Sequence, residues 1–144
     1  WGYFPTPKAQ MQGTYTLSYE ILPFADGERL DVYTLGYQFQ NELMAVPTGI
    51  HTGVNPQEKG FFNWTGEGVN FSGLKQQENG SDIMVRFINV TELPREIEIQ
   101  KQSWMEKMYK SNVIEEEKEG LEVREDGMYH VVLKPFEILT LGIR

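Results

Sequence analysis

Apolar and polar residues alternate along much of the chain, which is typical of β-strands that bury one face. Two apolar runs between Val69 and Val90 flank a polar hinge that contains Asn79-Gly80. An Asn-Gly pair between strand runs predicts a hairpin, here with a loop longer than two residues. In the second run Ile83, Val85 and Phe87 share one face, and the opposite face is also largely apolar. This run therefore predicts a strand in the middle of a sheet.

Shorter alternating runs predict the other strands. The most regular run covers residues 14–21 and predicts a strand whose dry face is formed by Tyr15, Leu17, Tyr19 and Ile21. Further strands are predicted at 61–64, 96–100, 129–133 and 138–143, the last of them apolar on both faces.

Several stretches interrupt the strand pattern. Residues 28–35 predict a short helical turn, which is followed by extended chain to residue 46. Residues 47–60 hold Pro, Gly and Asn and predict a long loop, and residues 115–120 predict a charged loop. The less regular stretch 103–114 is expected to supply buried anchors at Trp104, Met105, Met108, Tyr109 and Val113.

Strand signals recur at intervals of roughly 8–12 residues with turn signals between them, a pattern that indicates a sandwich or barrel. We predict an all-β fold, an antiparallel β-sandwich with at most one short helix. No linker or internal repeat divides the chain, so residues 1–144 are interpreted as one domain, with residues 1–12 as an extended lead-in.

Composition narrows the classes of partner. The chain of 144 residues carries 13 basic and 21 acidic residues, for a net charge of −8, which argues against binding to nucleic acid or to anionic membranes. It has no cysteine, and no apolar run approaches the roughly 20 residues that span a bilayer. The start, Trp1-Gly2-Tyr3-Phe4-Pro5, lacks the features of a signal peptide and does not begin with Met, so we interpret the chain as a segment of a longer protein.

Few residues suggest chemistry on their own. A zinc site needs three or four converging ligands, and the chain offers only the isolated His51 and His130. Glu115, Glu116 and Glu117 are adjacent carboxylates, whereas the catalytic pair of a glycosidase faces across a cleft. We therefore expect no catalytic, cofactor or metal residue here, although one of these glutamates could have a structural or cleft-edge role. The aromatic residues Phe61, Phe62 and Trp64 are expected to serve as core, as an interface or as a sugar-stacking surface.

Several segments resemble, in order, the C-terminal β domain of glycoside hydrolase family 38, the α-mannosidases, of the bacterial type. These segments are Pro5–Gln10 with Tyr19–Pro23, Ser72–Lys75 with Val85–Asn89, Asn112–Glu116, and Lys134–Leu141. Phe24 departs from the family pattern, which often has His at that place.

The resemblance implies a retaining, zinc-dependent α-mannosidase as the parent, cytoplasmic in a bacterium and acting on mannose-containing glycans. In such a parent the zinc, the Asp nucleophile and the acid/base carboxylate lie upstream, and none of them maps onto this chain. The partners of the chain would then be the catalytic and other domains of its own parent, and its role would be to support the catalytic domain and shape the cleft. A non-catalytic module that binds carbohydrate through an aromatic face remains the alternative.

The same resemblance singles out Lys75, Arg86 and Asn89 as the polar positions of the hairpin. Arg86 lies on a mostly apolar strand, and an arginine is rarely buried without a partner. We expect that partner to be Glu115 or Glu116. Our main prediction is that five residues form a structural polar network: Lys75, Arg86, Asn89, Glu115 and Glu116. The second possibility is that they have a role in the cleft.

Overall fold

The computed structural model describes residues 13–25, 29–41 and 43–144. Its elements, in chain order, are helix α1 (Arg29–Gln40) and strands β1 (Trp64–Thr65), β2 (Val69–Gln76), β3 (Ile83–Asn89), β4 (Arg95–Gln100), β5 (Met108–Ser111), β6 (Glu117–Leu121), β7 (Met128–Leu133) and β8 (Ile138–Ile143). The strands form two antiparallel sheets, with orders β1-β4-β7 and β2-β3-β8-β5-β6. The predicted fold class is confirmed: these two sheets and one short helix form an all-β sandwich in the described part of the chain. No helix in that part is long and apolar enough to cross a membrane.

The hydrophobic core lies between the two sheets. On the five-stranded sheet, Val85 faces Leu141 and Phe87 faces Leu139 across the β3–β8 pair, and all four side chains are buried. The three-stranded sheet contributes Ile97, Ile99, Tyr129, Val131 and Leu133. Because successive side chains of a strand point to opposite faces, the residues that alternate with these point away from the core. We call that side of the five-stranded sheet, which carries Arg86 and Thr140, the outer face.

The predicted hairpin is confirmed as β2 and β3. Pairing begins with Val69 opposite Asn89 and ends with Gln76 opposite Ile83, with a register shift between Phe71 and Gly73. The β3 strand lies between β2 and β8, as its two-sided apolar pattern predicted.

The predicted strand at residues 14–21 is wrong. Residues 14–25 are irregular in the structure, and the apolar residues of the run are exposed, with Leu17 87% and Tyr19 84% accessible to solvent. A strand requires a neighbouring strand to satisfy its backbone hydrogen bonds, and the described residues provide none beside this segment. The predicted lead-in, residues 1–12, lies outside the described residues.

Four other predictions need smaller corrections. The helical turn is a full helix that extends to Gln40, and the aromatic strand is reduced to Trp64–Thr65. Val113 is 79% exposed and is not a buried anchor. Residues 117–121 form strand β6 rather than a loop. Their charge is explained by their place at the sheet edge, where cross-strand ion pairs join Lys107 to Glu117 and Lys110 to Glu119.

Candidate functional site

The outer face carries an ion pair between a half-exposed lysine and a buried glutamate, and this pair joins two distant parts of the five-stranded sheet. Nζ of Lys75, on β2, lies 2.6 Å from Oε1 of Glu115, in the β5–β6 turn. The other carboxylate oxygen of Glu115 accepts a hydrogen bond from the backbone N–H of Glu78 at 2.6 Å. Gln77 Nε2 also donates to the backbone carbonyl of Glu115 at 2.9 Å. Strands β2 and β6 lie at opposite ends of the sheet order, so this turn reaches the β2–β3 hairpin from the far edge.

Glu115 is held in an unusual conformation. Its φ is 65°, in the left-handed region that residues other than Gly seldom adopt. The backbone N–H of Glu115 donates to the carbonyl of Asn112 at 3.0 Å, which closes the turn. The contacts to Lys75 and Glu78 therefore fix a strained backbone and a buried carboxylate at the same point.

The environment keeps this pair ionised. The hydrogen bond from Lys75, together with that from the N–H of Glu78, lowers the pKa of Glu115 below its ordinary value, and the charge of Arg86 contributes in the same direction. The hydrogen bond to Glu115 raises the pKa of Lys75. A carboxylate with a lowered pKa is a poor proton donor near neutral pH, so the arrangement suits a structural role better than that of a general acid.

Arg86 does not pair with a glutamate as expected. Its Nε donates to Oγ1 of Thr140, its cross-strand neighbour, at 3.2 Å, and within the described ranges no ion pair of Arg86 is formed. Glu116 instead contacts Lys118 at 2.7 Å and Asn112 at 3.0 Å. Only Lys75 and Glu115 of the five predicted network residues are brought into direct contact with each other.

Asn89 occupies a separate, fully buried position at the end of β3. Its Nδ2 donates to the carbonyls of Leu93 and Lys134, both at 2.8 Å. Its Oδ1 accepts from the N–H of Thr91 at 2.9 Å and from the hydroxyl of Thr91 at 2.8 Å. The side chain therefore joins the loop after β3 to the loop after β7.

The predicted aromatic residues separate into two groups. Phe62 and Trp64 pack against the core, with ring centroids 6.3 Å and 4.9 Å from Phe87. Phe61 is 57% exposed and stacks on Trp104 at 4.7 Å with an interplanar angle of 13°. Phe61, Phe62 and Trp64 therefore do not form one continuous surface.

The two histidines make other contacts. Nδ1 of His130 is 3.1 Å from a carboxylate oxygen of Glu96, and its Nε2 is 2.7 Å from one of Asp126. His51 is exposed and contacts the carbonyl of its neighbour Thr52 at 3.3 Å. Across residues 13–25, 29–41 and 43–144, no group of three or more His, Cys, Asp and Glu side chains is arranged to hold a metal ion.

A second buried polar cluster has no counterpart in the sequence predictions. The carboxylate of Asp82 accepts hydrogen bonds from the hydroxyl of Tyr109 at 2.7 Å and from Arg144 at 3.1 and 2.8 Å. Burial and the hydrogen bond to Asp82 raise the pKa of Tyr109 to about 12. Arg144 lowers the pKa of Asp82, and Tyr109 adds to that effect. The three residues are far apart in sequence, so periodicity gives no signal for the cluster.

Two cavities border the outer face and share Tyr37 of α1. One, of about 480 Å³, is lined by Arg86, Ser111, Asn112 and Thr140 among others. The second, of about 490 Å³, is lined by polar residues of α1 and by Asn70 of β2. Asn70 is only 8% exposed, and its Nδ2 has no hydrogen-bond partner in the described part of the chain.

Comparison with known proteins gives two matches. Residues 68–141 match the family model described as "Glycosyl hydrolases family 38 C-terminal beta sandwich domain". A relative from Halalkalibacterium halodurans, named "Putative mannosylglycerate hydrolase", is 28% identical over 142 residues. That alignment covers 98% of the chain and 15% of the relative, so the chain spans about 15% of the length of the curated relative that it matches.

Proposed function

The chain belongs to the C-terminal β-sandwich domains of the family 38 glycosyl hydrolases, and we propose that it supports the catalytic domain of a zinc-dependent, retaining α-mannosidase and shapes its substrate cleft. The membership agrees with the resemblance found in the sequence motifs. The relative's name supports a mannoside substrate, and mannosylglycerate is the first compound to test. In this proposal the chain has no complete active site of its own, and the parent is a bacterial, cytoplasmic enzyme.

The observation that carries the proposal is an exposed apolar patch beside the ordered polar contacts of the outer face. The patch consists of Val113 and Ile138, each more than half exposed. Val113 and Ile138 line the same cavity as Arg86. Contiguous exposed apolar surface rimmed by polar groups is typical of protein interfaces. We assign the patch to contact with the remainder of the parent polypeptide, because the chain covers only 15% of its relative.

Zinc belongs elsewhere in this proposal. The described residues contain no suitable ligand group, so they do not fit a catalytic zinc site. Zinc bound by another domain would supply Lewis acidity and orient sugar hydroxyls. The contribution of this chain is to hold the β5–β6 turn, through Lys75 and Glu115, where the turn can border the cleft.

The proposal is tested by comparing the 144-residue chain with the longer natural polypeptide that contains it. With zinc present, we expect the longer protein to hydrolyse aryl α-mannosides and mannosylglycerate with retention of anomeric configuration, followed by NMR. We expect the chain alone to be inactive. Hydrolysis by the purified chain, or inversion of configuration by the longer protein, would overturn the proposal.

The docking role has its own test. In the longer protein, Val113→Asp places a charge in the apolar patch, and we expect it to lower both activity and thermal stability. Val132→Asp is the matched control, because Val132 is 60% exposed on β7, in the three-stranded sheet. Equal effects of the two variants would contradict docking through the patch.

The second candidate, a carbohydrate-binding module, is favoured by one observation. Phe61 and Trp104 form a stacked pair, and Phe61 is exposed enough to meet a sugar ring. This reading predicts that Phe61→Ala weakens binding of mannosides to the chain without changing its stability. A calorimetric titration that detects no binding by the unmodified chain would remove this candidate.

A further inference from the structure

Residues 14–21 carry a regular amphipathic pattern that the described fold leaves unused. Tyr15, Leu17, Tyr19 and Ile21 alternate with polar residues, and all four apolar side chains are more than half exposed. Successive side chains of a strand point to opposite faces, so in a strand these four would form one apolar face. Contiguous exposed apolar surface of this kind is typical of an interaction site.

The backbone of the segment is equally unused. Within the described part of the chain, residues 14–21 form no backbone hydrogen bond. None of them is proline, so each brings one N–H donor and one carbonyl acceptor. A segment with one apolar face and unpaired backbone groups has what a half-buried strand needs except a neighbouring strand. The missing neighbour is the reason why this segment is irregular in the described chain.

The edges of the two described sheets do not provide that neighbour. Strands β2 and β6 border the five-stranded sheet, β1 and β7 border the three-stranded sheet, and none of the four pairs with residues 14–21. The β6 edge presents Glu117, Lys118 and Glu119, and charges on an edge discourage the addition of another strand. Strand β1 has only 2 residues and is too short to align the whole segment.

The segment also lies outside the part of the chain that matches the sandwich family. That match covers residues 68–141, and helix α1 and the irregular residues 43–60 lie between it and the segment. The alignment with the longer relative covers 98% of the chain and therefore includes residues 14–21. The chain covers only 15% of that relative, so most of a parent of that length lies outside this chain and can provide the neighbour.

Apolar surface continues from the segment onto helix α1. A cavity of about 410 Å³ is lined by Leu22, directly after the segment, and by Val32, Leu35 and Phe39 of the helix. The side chains of Leu35 and Phe39 are exposed. A partner that pairs with the segment would therefore meet further apolar side chains at its end.

We propose that residues 14–21 form a β-strand in the parent protein by pairing with an edge strand of a sheet that lies outside this chain. The face of Tyr15, Leu17, Tyr19 and Ile21 enters the core of that neighbouring domain, and the polar face stays in solvent. Main-chain hydrogen bonds give such strand addition its affinity, and the apolar side chains fix its register. The inference rests on the proposed function only for the existence of a parent polypeptide, and it divides the chain between two domains of that parent.

The test is hydrogen–deuterium exchange of the 144-residue chain and of the longer natural polypeptide that contains it. In the chain alone, we expect the amides of residues 14–21 to exchange as fast as those of the irregular residues 43–60. In the longer protein, the paired amides should exchange at least roughly a hundredfold more slowly, because a paired strand opens only with its sheet. Equal rates in the two proteins would overturn the proposal.

Two other results would also overturn it, and sedimentation of the isolated chain separates them. Slow exchange of residues 14–21 in a monomer of the 144-residue chain would mean that the neighbour is a strand of this chain, such as β2 or β7. Slow exchange only in a dimer of the chain would assign the pairing to a second copy.

Variants test which face of the segment is buried. In the longer protein, Leu17→Asp should raise the exchange rate of residues 14–21 roughly tenfold or more, because it places a charge in an apolar interface. Ser18→Asp is the matched control: it places the same charge on the polar face and should change the rate by less than about twofold. Equal effects of the two variants would overturn the assignment of the faces.

The same variants have a control in the 144-residue chain. Neither Leu17→Asp nor Ser18→Asp should change its urea unfolding, because both side chains are exposed there. A loss of stability for Leu17→Asp in the isolated chain would place Leu17 in the sandwich and overturn the proposal.

These outcomes are distinguishable from the failure of the proposed function. A longer protein that cleaves mannosides while residues 14–21 exchange fast would sink the inference alone. Slow exchange of the segment in a longer protein without glycosidase activity would sink the proposed function alone.

Discussion

Lys75 Nζ lies 2.6 Å from Oε1 of Glu115, and this contact ties the β2–β3 hairpin to the β5–β6 turn. The pair holds a glutamate with positive φ in place, and the two apolar residues before that glutamate, Val113 and Ile114, are exposed. Because Val113 of the same turn lines the cavity at Arg86, the geometry of the turn affects the proposed docking patch.

Glu115→Gln is expected to destabilise the fold and to reduce its acid sensitivity. The native pKa of Glu115 lies below its ordinary value of 4.5, because Lys75 and the N–H of Glu78 stabilise the anion. This carboxylate therefore contributes stability above the unfolded pKa, and the contribution is lost as pH falls through the native pKa. Urea unfolding between pH 7 and pH 3 measures the effect.

The Glu115→Gln variant should still lose some stability as the pH falls, because Asp82 also has a lowered pKa. Glu116→Gln is the control for stability at neutral pH, since the side chain of Glu116 is exposed and contacts only Asn112 and Lys118 in the described part of the chain. Lys118 and Asn112 also lower the pKa of Glu116, so this variant too should lose a small part of the acid sensitivity. A Glu116 variant that loses as much stability at neutral pH as the Glu115 variant would contradict a special role for Glu115.

Asn89→Ala should lower the free energy of unfolding by about 3 kcal/mol, since it removes the hydrogen bonds of a fully buried side chain. The groups affected are the carbonyls of Leu93 and Lys134 and the N–H of Thr91. Chemical denaturation at neutral pH provides the measurement. Asn79→Ala, in the hairpin loop, should change stability by less than about 0.5 kcal/mol. A loss below about 1 kcal/mol for Asn89→Ala would contradict the joining role of its amide.

Gly142→Ala should destabilise the sandwich by about 2–3 kcal/mol through overpacking. A Cβ at this position would collide with the ring of Tyr109, which cannot move freely because its hydroxyl donates to Asp82. Gly73→Ala is the matched control, since a Cβ there has no atom within 4 Å. Urea unfolding should separate the two variants clearly. Equal free energies of unfolding for the two variants would mean that Tyr109 can move away from the added Cβ without loss of stability.

His130 predicts a second pH dependence, in the neutral range. The hydrogen bond to Asp126, with that to Glu96, raises the pKa of His130 above its ordinary value of 6.5, against opposing effects of burial and of Arg124. Its contribution is therefore fully present below the unfolded pKa and is lost as pH rises through the native pKa. We expect unfolding free energy to decline from about pH 6.5 upward in the native chain and to change less in His130→Gln.

His51→Gln serves as the control for this effect. His51 is exposed and contacts only the carbonyl of Thr52, so the variant should keep the decline seen in the native chain. Glu98 also lies near His130, at 4.0 Å, and Glu98→Gln should weaken the decline less than Asp126→Asn. A native chain whose stability does not change between pH 6 and pH 9 would refute the prediction.

The local pattern predicted the strands that are central in the sheets. Alternation identified Val85 and Phe87 as core and Asn79-Gly80 as part of the hairpin loop, because a period of two fixes which face a side chain takes. The same signal failed at residues 14–21, where alternation is just as regular but none of the described strands pairs with the segment. It also missed β6, because an edge strand needs no apolar face and its charges resembled those of a loop.

Sequence by itself determined the sandwich class, the hairpin, the core positions of β3, the existence of the closing strand β8, and the family. Tertiary structure decided which polar residues meet. Arg86 was expected to contact Glu115 or Glu116, but the register of β3 and β8 places Thr140 beside Arg86. The β5–β6 turn instead places Glu115 beside Lys75. The Asp82–Tyr109–Arg144 cluster joins residues 27 and 62 positions apart. Periodicity assigns a side chain to a face, whereas its partner depends on strand order and register, which only the folded chain defines.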